Sequence, residues 1–557
     1  MKKKLKQNGL VEGSMIAYIS VIITKILGAL YVIPFYAIIG EAGGYIYSSA
    51  YTLYNLVLNA STSGVPTAMS ILVSEYNTRG MQKTKRKVYL VGLSVVGGIS
   101  IALFLILQIF ANGFAGFYMG DMQNASIVNN GSIAAAIRSV SLCLLFAPFL
   151  SVKRGYLQGH NFIAHSSYSQ VVEQVARIAV VLGGSYLVVN VLGLNVGVGV
   201  NVALAGAAVG AALALLYLQL KTAHHERDFI GNRVRERVPS AKRLIFQILR
   251  YSIPVVIVAT STNLYEIVDM KLTITGMGWL GVSDADTQTI ASTIATWAPK
   301  ICMLISALSM GLTTSLVPSM TQSYVQKKYG EVNRKFVLAI NTILVVAVPL
   351  SIGLSMLSKP VYTLFYSNSD YGTVVLKYLC FVSVLSSIKI VVCMALQSMG
   401  RARLVCGCTI LGLLINAALD LPLIMLFSVI GIPPYLGPLL SSVFGVVTTI
   451  TIAMVSLKKR MHFRYIMIVK TLVKAILPNL ALIVTVALMK LFIPIPEARG
   501  IMLIVVLGVF ALVGGAVYAV VAYRLGLIQD IFGKDIISKI MIKLHLKKAT
   551  SPDNDSD

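Results

Sequence analysis

Apolar runs of about twenty residues recur from one end of this chain to the other, and no other feature limits its fold so severely. Each run is long enough to cross a bilayer core of roughly 30 Å as a helix. Fourteen candidate spans fall at 11–39, 44–77, 88–111, 131–152, 166–190, 196–220, 246–275, 288–322, 336–357, 374–398, 404–429, 436–457, 466–492 and 500–523. Hydrophobic residues make up 57% of the 557 positions and charged residues 12%, and the mean hydropathy is +0.81. A water-soluble domain of this size has no way to hide so much apolar surface. The expected fold class is an all-α polytopic membrane protein with about fourteen transmembrane helices. The first run is too long for a cleavable signal peptide, and no A-x-A-like site follows it.

The net charge of +26 would by itself suit a nucleic-acid partner. Its distribution argues otherwise. One set of connections carries MKKKLK, TRGMQKTKRK, VKRG, the linker 221–243, QKKYGEVNRK, GRAR, LKKRMHFR and the basic C-terminal segment. The alternate set carries Glu41, Asp121, Asp284, Asp286, Asp370 and Glu497, with Lys359 and Arg499 as its main cations. Lysine and arginine concentrate in cytoplasmic loops, so an even number of spans with both termini in the cytoplasm is expected. The six cysteines lie in or beside apolar runs without a C-x-x-C pair, so neither a disulfide framework nor a zinc site is expected. No cofactor is expected either.

An internal repeat organises the spans. LNASTSGVPTAMS (58–70) resembles ISALSMGLTTSLVPS (305–319), and GYLQGHNFIAH (155–165) resembles MALQSMGRARL (394–404). The expected division is a six-helix lobe at 1–220, a basic cytoplasmic linker at 221–245 and a second six-helix lobe at 246–457. Two further helices follow at 458–524, then an amphipathic basic segment and tail at 525–557, where DIFGKDIISKIMIKLHLKK suits a helix lying on the inner leaflet. Parallel repeats of this kind place a substrate path between the halves.

Ionisable residues inside a membrane are costly and mark functional positions. Lys25 sits near the middle of span 1, in YISVIITKILGALYVIPF, and Lys300 well inside span 8, in STIATWAPKICMLISALSMG. Neither has an acid one helical turn away. Either both face a central cavity that receives an anion, or each snorkels to an interface or finds a carboxylate on another helix. Arg138, near the outer end of span 4, either meets a phosphate or reaches water. Glu173 and Arg177, an i, i+4 pair in QVVEQVARI, are expected to neutralise each other. Lys153 and Arg154 are expected to set topology. Asp269 in span 7, with Asn416 and Asp420 one turn apart in span 11, offers hard oxygen ligands for a small cation or a proton. Alternatively, Asp269 pairs with Lys271 or caps a helix break, and Asp420 caps around Pro422. Ser441 and Ser442 are candidates to complete the set. Gly64 and Pro66 in span 2, and Gly311 and Pro318 in span 8, are expected to break their helices.

TKILGALYVIPF, SVKRGYLQGHNFIAHSSYSQVVEQVARI and the 6+6+2 plan resemble the MurJ-like lipid II flippases, in the Gram-positive branch that also holds the stage V sporulation protein B-like proteins. These belong to the MOP (MATE-like) exporter superfamily. The resemblance covers nearly the whole chain. It implies a multi-pass protein of the bacterial plasma membrane that moves an undecaprenyl-pyrophosphate-linked peptidoglycan precursor to the outer leaflet by alternating access. It further implies the cell-wall synthesis machinery as a partner and a role in cell shape. Lys25 and Lys300 fall where the family has pyrophosphate-binding arginines. Asp269, Asn416 and Asp420 match positions that bind sodium in some members. The chain departs from the Gram-negative branch in having Tyr31 and Val32 where an Arg-Asp pair stands, and in lacking an arginine within span 2. Another polyprenyl-linked oligosaccharide is the alternative cargo. A MATE-like multidrug exporter would want an acidic cavity instead, and the short outer loops offer no enzyme active site.

Overall fold

The computed structural model describes residues 10–532 apart from 121, 123–126, 161, 224–235, 237, 367 and 462–464. Most of the expected linker and nearly all of the expected C-terminal amphipathic segment lie outside the described residues. Among the described residues there is no β-strand, and thirteen helices are long and apolar enough to cross a membrane.

The remaining crossing is resolved by one glycine. The apolar stretch Val32–Thr78 has 47 residues, about 70 Å if it were one straight helix, more than twice the thickness of a bilayer core. It does not stay straight. At Gly40 the backbone turns to φ +64° and ψ −167°, a conformation that a side chain would strain. Span 1 therefore consists of Leu10–Leu30 and the first turns of Val32–Thr62, and span 2 begins beyond Gly40. The chain is an all-α multi-pass membrane protein, and its many apolar side chains left exposed, such as Val429, Leu491, Phe492 and Ile501, are those a bilayer would cover.

Span 2 is interrupted at Ser63, where Val32–Thr62 gives way to Gly64–Thr78, although Ser63 keeps helical dihedrals and its bond to the Asn59 carbonyl. The interruption lies where span 7 (Ala241–Trp279) packs backbone to backbone: a Cβ on Gly64 would stand 2.5 Å from the Ser252 carbonyl oxygen. Span 8 behaves differently. The expected break at Gly311 and Pro318 is not found, because Ala298–Val325 continues as one helix through both. A single proline removes one intrahelical hydrogen bond, and helices in this chain also run through Pro254, Pro349, Pro422 and Pro478. Span 8 departs from the α-helix earlier instead, in a π-helical turn over Thr293–Trp297.

Span 2 lies against the second half of the chain along its length. Ser48 Oγ is 2.6 Å from Thr296 Oγ1, Asn59 Nδ2 donates to Asn263 Oδ1 at 2.7 Å, and Tyr76 donates to Gln247 Oε1 at 3.2 Å. Spans 13 (Ile466–Phe492) and 14 (Ile501–Arg524) pack on each other and on span 9 (Tyr329–Met356), where Tyr518 donates to the Val345 carbonyl at 2.7 Å. Between spans 9 and 13 an almost wholly apolar groove of about 310 Å³ is lined by Leu344, Val348, Leu472, Ile476 and Leu480.

Candidate functional site

The sequence YIYSSAYTLYN puts Tyr47, Tyr51 and Tyr54 four and three residues apart, on one face of span 2. That face meets the π-helical turn of span 8. Tyr47 stacks on Trp297 with centroids 5.6 Å apart and on Tyr51 at 5.1 Å. Lys300, one turn beyond Trp297, sits within these rings. Its Nζ lies 4.3 Å from the centroid of Tyr47, 4.6 Å from Trp297, 4.8 Å from Tyr51 and 5.8 Å from Tyr31. The residue is 9% exposed, and Nζ is buried with no hydrogen-bond partner. Ring faces carry negative potential, so they attract the ammonium without neutralising it.

Arg177 of span 5 (Ile163–Ala179, continued by π-helical turns) joins this cluster, contrary to the expectation that it pairs with Glu173. Its guanidinium lies 5.6 Å from the Tyr51 centroid and 6.0 Å from that of Tyr54. Glu173 is held instead by Arg154, whose Nη2 stands 2.8 Å from Glu173 Oε2 while its Nε donates to Ser169 Oγ at 2.8 Å. The i, i+4 rule fails because a cation on the neighbouring helix reaches the carboxylate in better geometry. Arg154, inside the helix Ala147–Gly159, is therefore part of a bridge between spans 4 and 5.

A second polar cluster lies between spans 7, 11 (Ala402–Val429) and 12 (Gly437–Met461). Asn416 Nδ2 has four oxygens around it: Asp269 Oδ1 at 2.9 Å, Ser441 Oγ at 3.1 Å, Ser442 Oγ at 3.3 Å and Asp420 Oδ1 at 3.4 Å. Ser442 donates to Asp269 Oδ2 at 2.9 Å and Ser441 donates to Asp420 Oδ1. An amide nitrogen has only two hydrogens to give. Two carboxylates, two hydroxyls and an amide from three helices converge here, with Asn416 Oδ1 and Asp420 Oδ2 buried and unpartnered, and these are the hard oxygen donors that a small cation takes. Lys271 does not compete for Asp269, since its Nζ donates to the Phe117 carbonyl at 2.8 Å. No group of three or more His, Cys, Asp or Glu side chains suited to a metal ion occurs among the described residues.

Comparison with known proteins places this architecture. The polysaccharide biosynthesis protein family matches residues 10–278, and the MatE family matches residues 254–421. The lipid II flippase MurJ of Bacillus subtilis (strain 168) is 29% identical over 536 residues, covering 94% of this chain and 97% of that protein. The chain is similar to the MurJ-like lipid II flippases over nearly its whole length. The stage V sporulation protein B of the same organism is 22% identical over 60% of this chain and 62% of its own length. A solved structure of the lipid II flippase MurJ in an inward closed conformation superposes with a TM-score of 0.63 at 15% identity, over 96% of this chain and all of that one.

In this MurJ-like chain, the remaining expected site residues fall in different places. Arg138 is not brought to the aromatic cluster. Its Nε donates to the Gln108 carbonyl at 3.4 Å, one of the carbonyls left free at the end of span 3 (Gln82–Ile109). Lys25 is half-buried on the face of span 1 that carries Gly28. The Cβ position of Gly28 is 3.3 Å from Gln174 Nε2 and 3.5 Å from Met303 Cε. Gln174 and Met303 are each three residues from a member of the cationic pair, Arg177 and Lys300, so the face of span 1 that carries Lys25 packs on the two helices that carry that pair. Sequence reasoning also passed over Lys389, a buried cation of span 10 (Asp370–Ser398) whose Nζ lies 4.8 Å from the Tyr265 ring centroid. Lysine within an apolar run was the available signal.

Proposed function

We propose that the chain is a flippase that carries an undecaprenyl-pyrophosphate-linked peptidoglycan precursor, lipid II, from the inner to the outer leaflet by alternating access. The observation that carries this reading is Lys300, a buried cation that meets ring faces and no hydrogen-bond partner at the junction of the two halves. A charge held this way is poised for an anion, because a phosphate oxygen offers the hydrogen bond and the countercharge that rings lack. Lys25, half-buried on span 1, which packs on spans 5 and 8, adds a further positive charge. A MATE-like exporter of cationic drugs is disfavoured by the same residues. The name of the Bacillus relative supports the cargo, and the groove between spans 9 and 13 is of the apolar character that a lipid tail requires. The reading requires no covalent step.

Asp269, Asn416 and Asp420 serve in this proposal as the coupling site. A sodium ion or a proton bound there would neutralise the two carboxylates and relieve their mutual repulsion, so that the packing of spans 7, 11 and 12 depends on occupancy. The charge asymmetry of the loops supports a plasma-membrane orientation with both termini in the cytoplasm. The deciding experiment is complementation of a strain depleted of its lipid II flippase, read together with the amount of precursor at the outer cell surface. Restored growth with restored surface precursor is expected. Expression in the membrane without either would refute the proposal.

A further inference from the structure

We infer that Arg177 is the second anchor of the anion site and that, with Lys300, it makes the site select a diphosphate over a monophosphate. The inference rests on the pyrophosphate-linked cargo proposed above. The two cations come from different halves of the chain, spans 5 and 8, and share one ring. Arg177 lies 5.6 Å and Lys300 4.8 Å from the Tyr51 centroid, so they stand no further apart than the sum of those distances. Arg177 Nε, like Lys300 Nζ, is buried with no hydrogen-bond partner. The acid nearest Arg177 on its own helix, Glu173, is already bound to Arg154. No salt bridge to either cation occurs among the described residues.

Two unneutralised cations held near each other among aromatic rings repel, and ring faces offset only part of that cost. The arrangement persists because tyrosine and tryptophan rings stand where an anion would go. A diphosphate removes the strain most completely. Its two phosphoryl groups share one bridging oxygen, so each can present oxygens to one cation, with the planar guanidinium taking two of them side by side. A monophosphate leaves one charged nitrogen facing a ring. Because the anchors sit on opposite halves, a diphosphate spanning them would also draw span 5 and span 8 together.

The test uses the full chain in lipid nanodiscs with Trp279→Phe, which leaves Trp297 as the single tryptophan of the two in the sequence. Trp297 is a direct reporter, its ring 4.6 Å from Lys300 Nζ. Farnesyl diphosphate, farnesyl monophosphate and inorganic pyrophosphate are titrated against its fluorescence. The diphosphate is expected to bind at least tenfold tighter than the monophosphate. Arg177→Gln should weaken the diphosphate roughly tenfold to hundredfold, the loss of one charge-assisted hydrogen-bonded contact, while changing the monophosphate less than about threefold. Arg177→Lys, which keeps the charge without the fork, should recover part of the preference.

Equal weakening of both ligands, the result of a merely structural arginine, overturns the inference, and so does no weakening of either. If Arg177→Gln fails to fold, as judged by gel filtration and thermal unfolding, the diphosphate-to-monophosphate ratio of Arg177→Lys decides: a severalfold fall supports the second anchor and an unchanged ratio refutes it. Failure of the cargo reading looks different and precedes any change at Arg177. In that case Trp279→Phe protein responds to neither farnesyl phosphate, or binds inorganic pyrophosphate as tightly as the farnesyl diphosphate.

Discussion

Replacing Lys300 with methionine keeps an unbranched side chain of similar reach and removes only the charge, which makes it the cleanest perturbation of the aromatic cluster. A lysine at the centre of a membrane helix costs about 3 kcal/mol on insertion scales. Three rings lie within 4.8 Å of its Nζ, and at about 1 kcal/mol apiece they roughly offset that cost. Lys300→Met should therefore change the stability of the fold by no more than about 1 kcal/mol, since methionine also packs well against aromatic edges. Transport should respond out of all proportion. If the ammonium makes a charge-assisted contact with the cargo, its loss costs about 1.5–3 kcal/mol of binding, a factor of roughly 10 to 100. Thermal unfolding of purified protein measures the first quantity, and the rate at which labelled precursor becomes accessible at the outer face of proteoliposomes measures the second. Lys300→Arg should retain much of the activity. Two results would refute the reasoning: Lys300→Met transporting at the wild-type rate, or a loss of transport matched by a large loss of stability.

Other outcomes follow from the remaining features. Asp420→Ala should abolish any dependence of transport on sodium and lower its rate at least tenfold, with normal amounts of protein in the membrane; full activity without sodium dependence would remove the coupling site. A cysteine placed at Asp284 should react with an impermeant thiol reagent in intact cells and one at Lys328 should not, which labelling at Lys328 in sealed cells would contradict. Burial, with the nearby Lys85 charge adding to it and a hydrogen bond to the Tyr156 carbonyl opposing it, pushes the His160 imidazole down to about 4. The folded state thus favours neutral His160, and its contribution is complete above the ordinary histidine range near 6.5 and lost as pH falls from there towards 4, by up to about 3 kcal/mol. His160→Asn should flatten the acid limb of a thermal-stability profile between those values; an unchanged limb would show that this ring does not control it.

What could be read from the sequence divides along physical lines. The spans were legible because a bilayer demands unbroken apolar length, and the boundary between spans 1 and 2, placed between residues 39 and 44, contains the left-handed Gly40. Asp269, Asn416 and Asp420 stood out because polar groups in apolar runs are few, and two of the three share a helix face. Arg177 was misread because a sequence displays partners along one helix and conceals those across a helix pair: Glu173 is one turn away on span 5, but Arg154 reaches it from span 4. The tyrosine face at 47, 51 and 54 was visible as spacing. Its meaning required Lys300 to arrive from the other half of the chain.

The contact at Gly64 has a mechanical consequence. On one side of span 2, Gly64 meets the backbone of Ser252, and on the other, Gly155 of span 4 comes so near Pro66 that a Cβ there would be 2.7 Å from its backbone. Surfaces this bare have no interlocked rotamers to release before they move. Where helices with branched side chains must unmesh, a backbone-to-backbone joint can shear by small displacements, each conserving most of its close contacts. Span 2 is thus seated between two smooth bearings, and friction along it would come from its tyrosines, the part of the helix that meets Lys300.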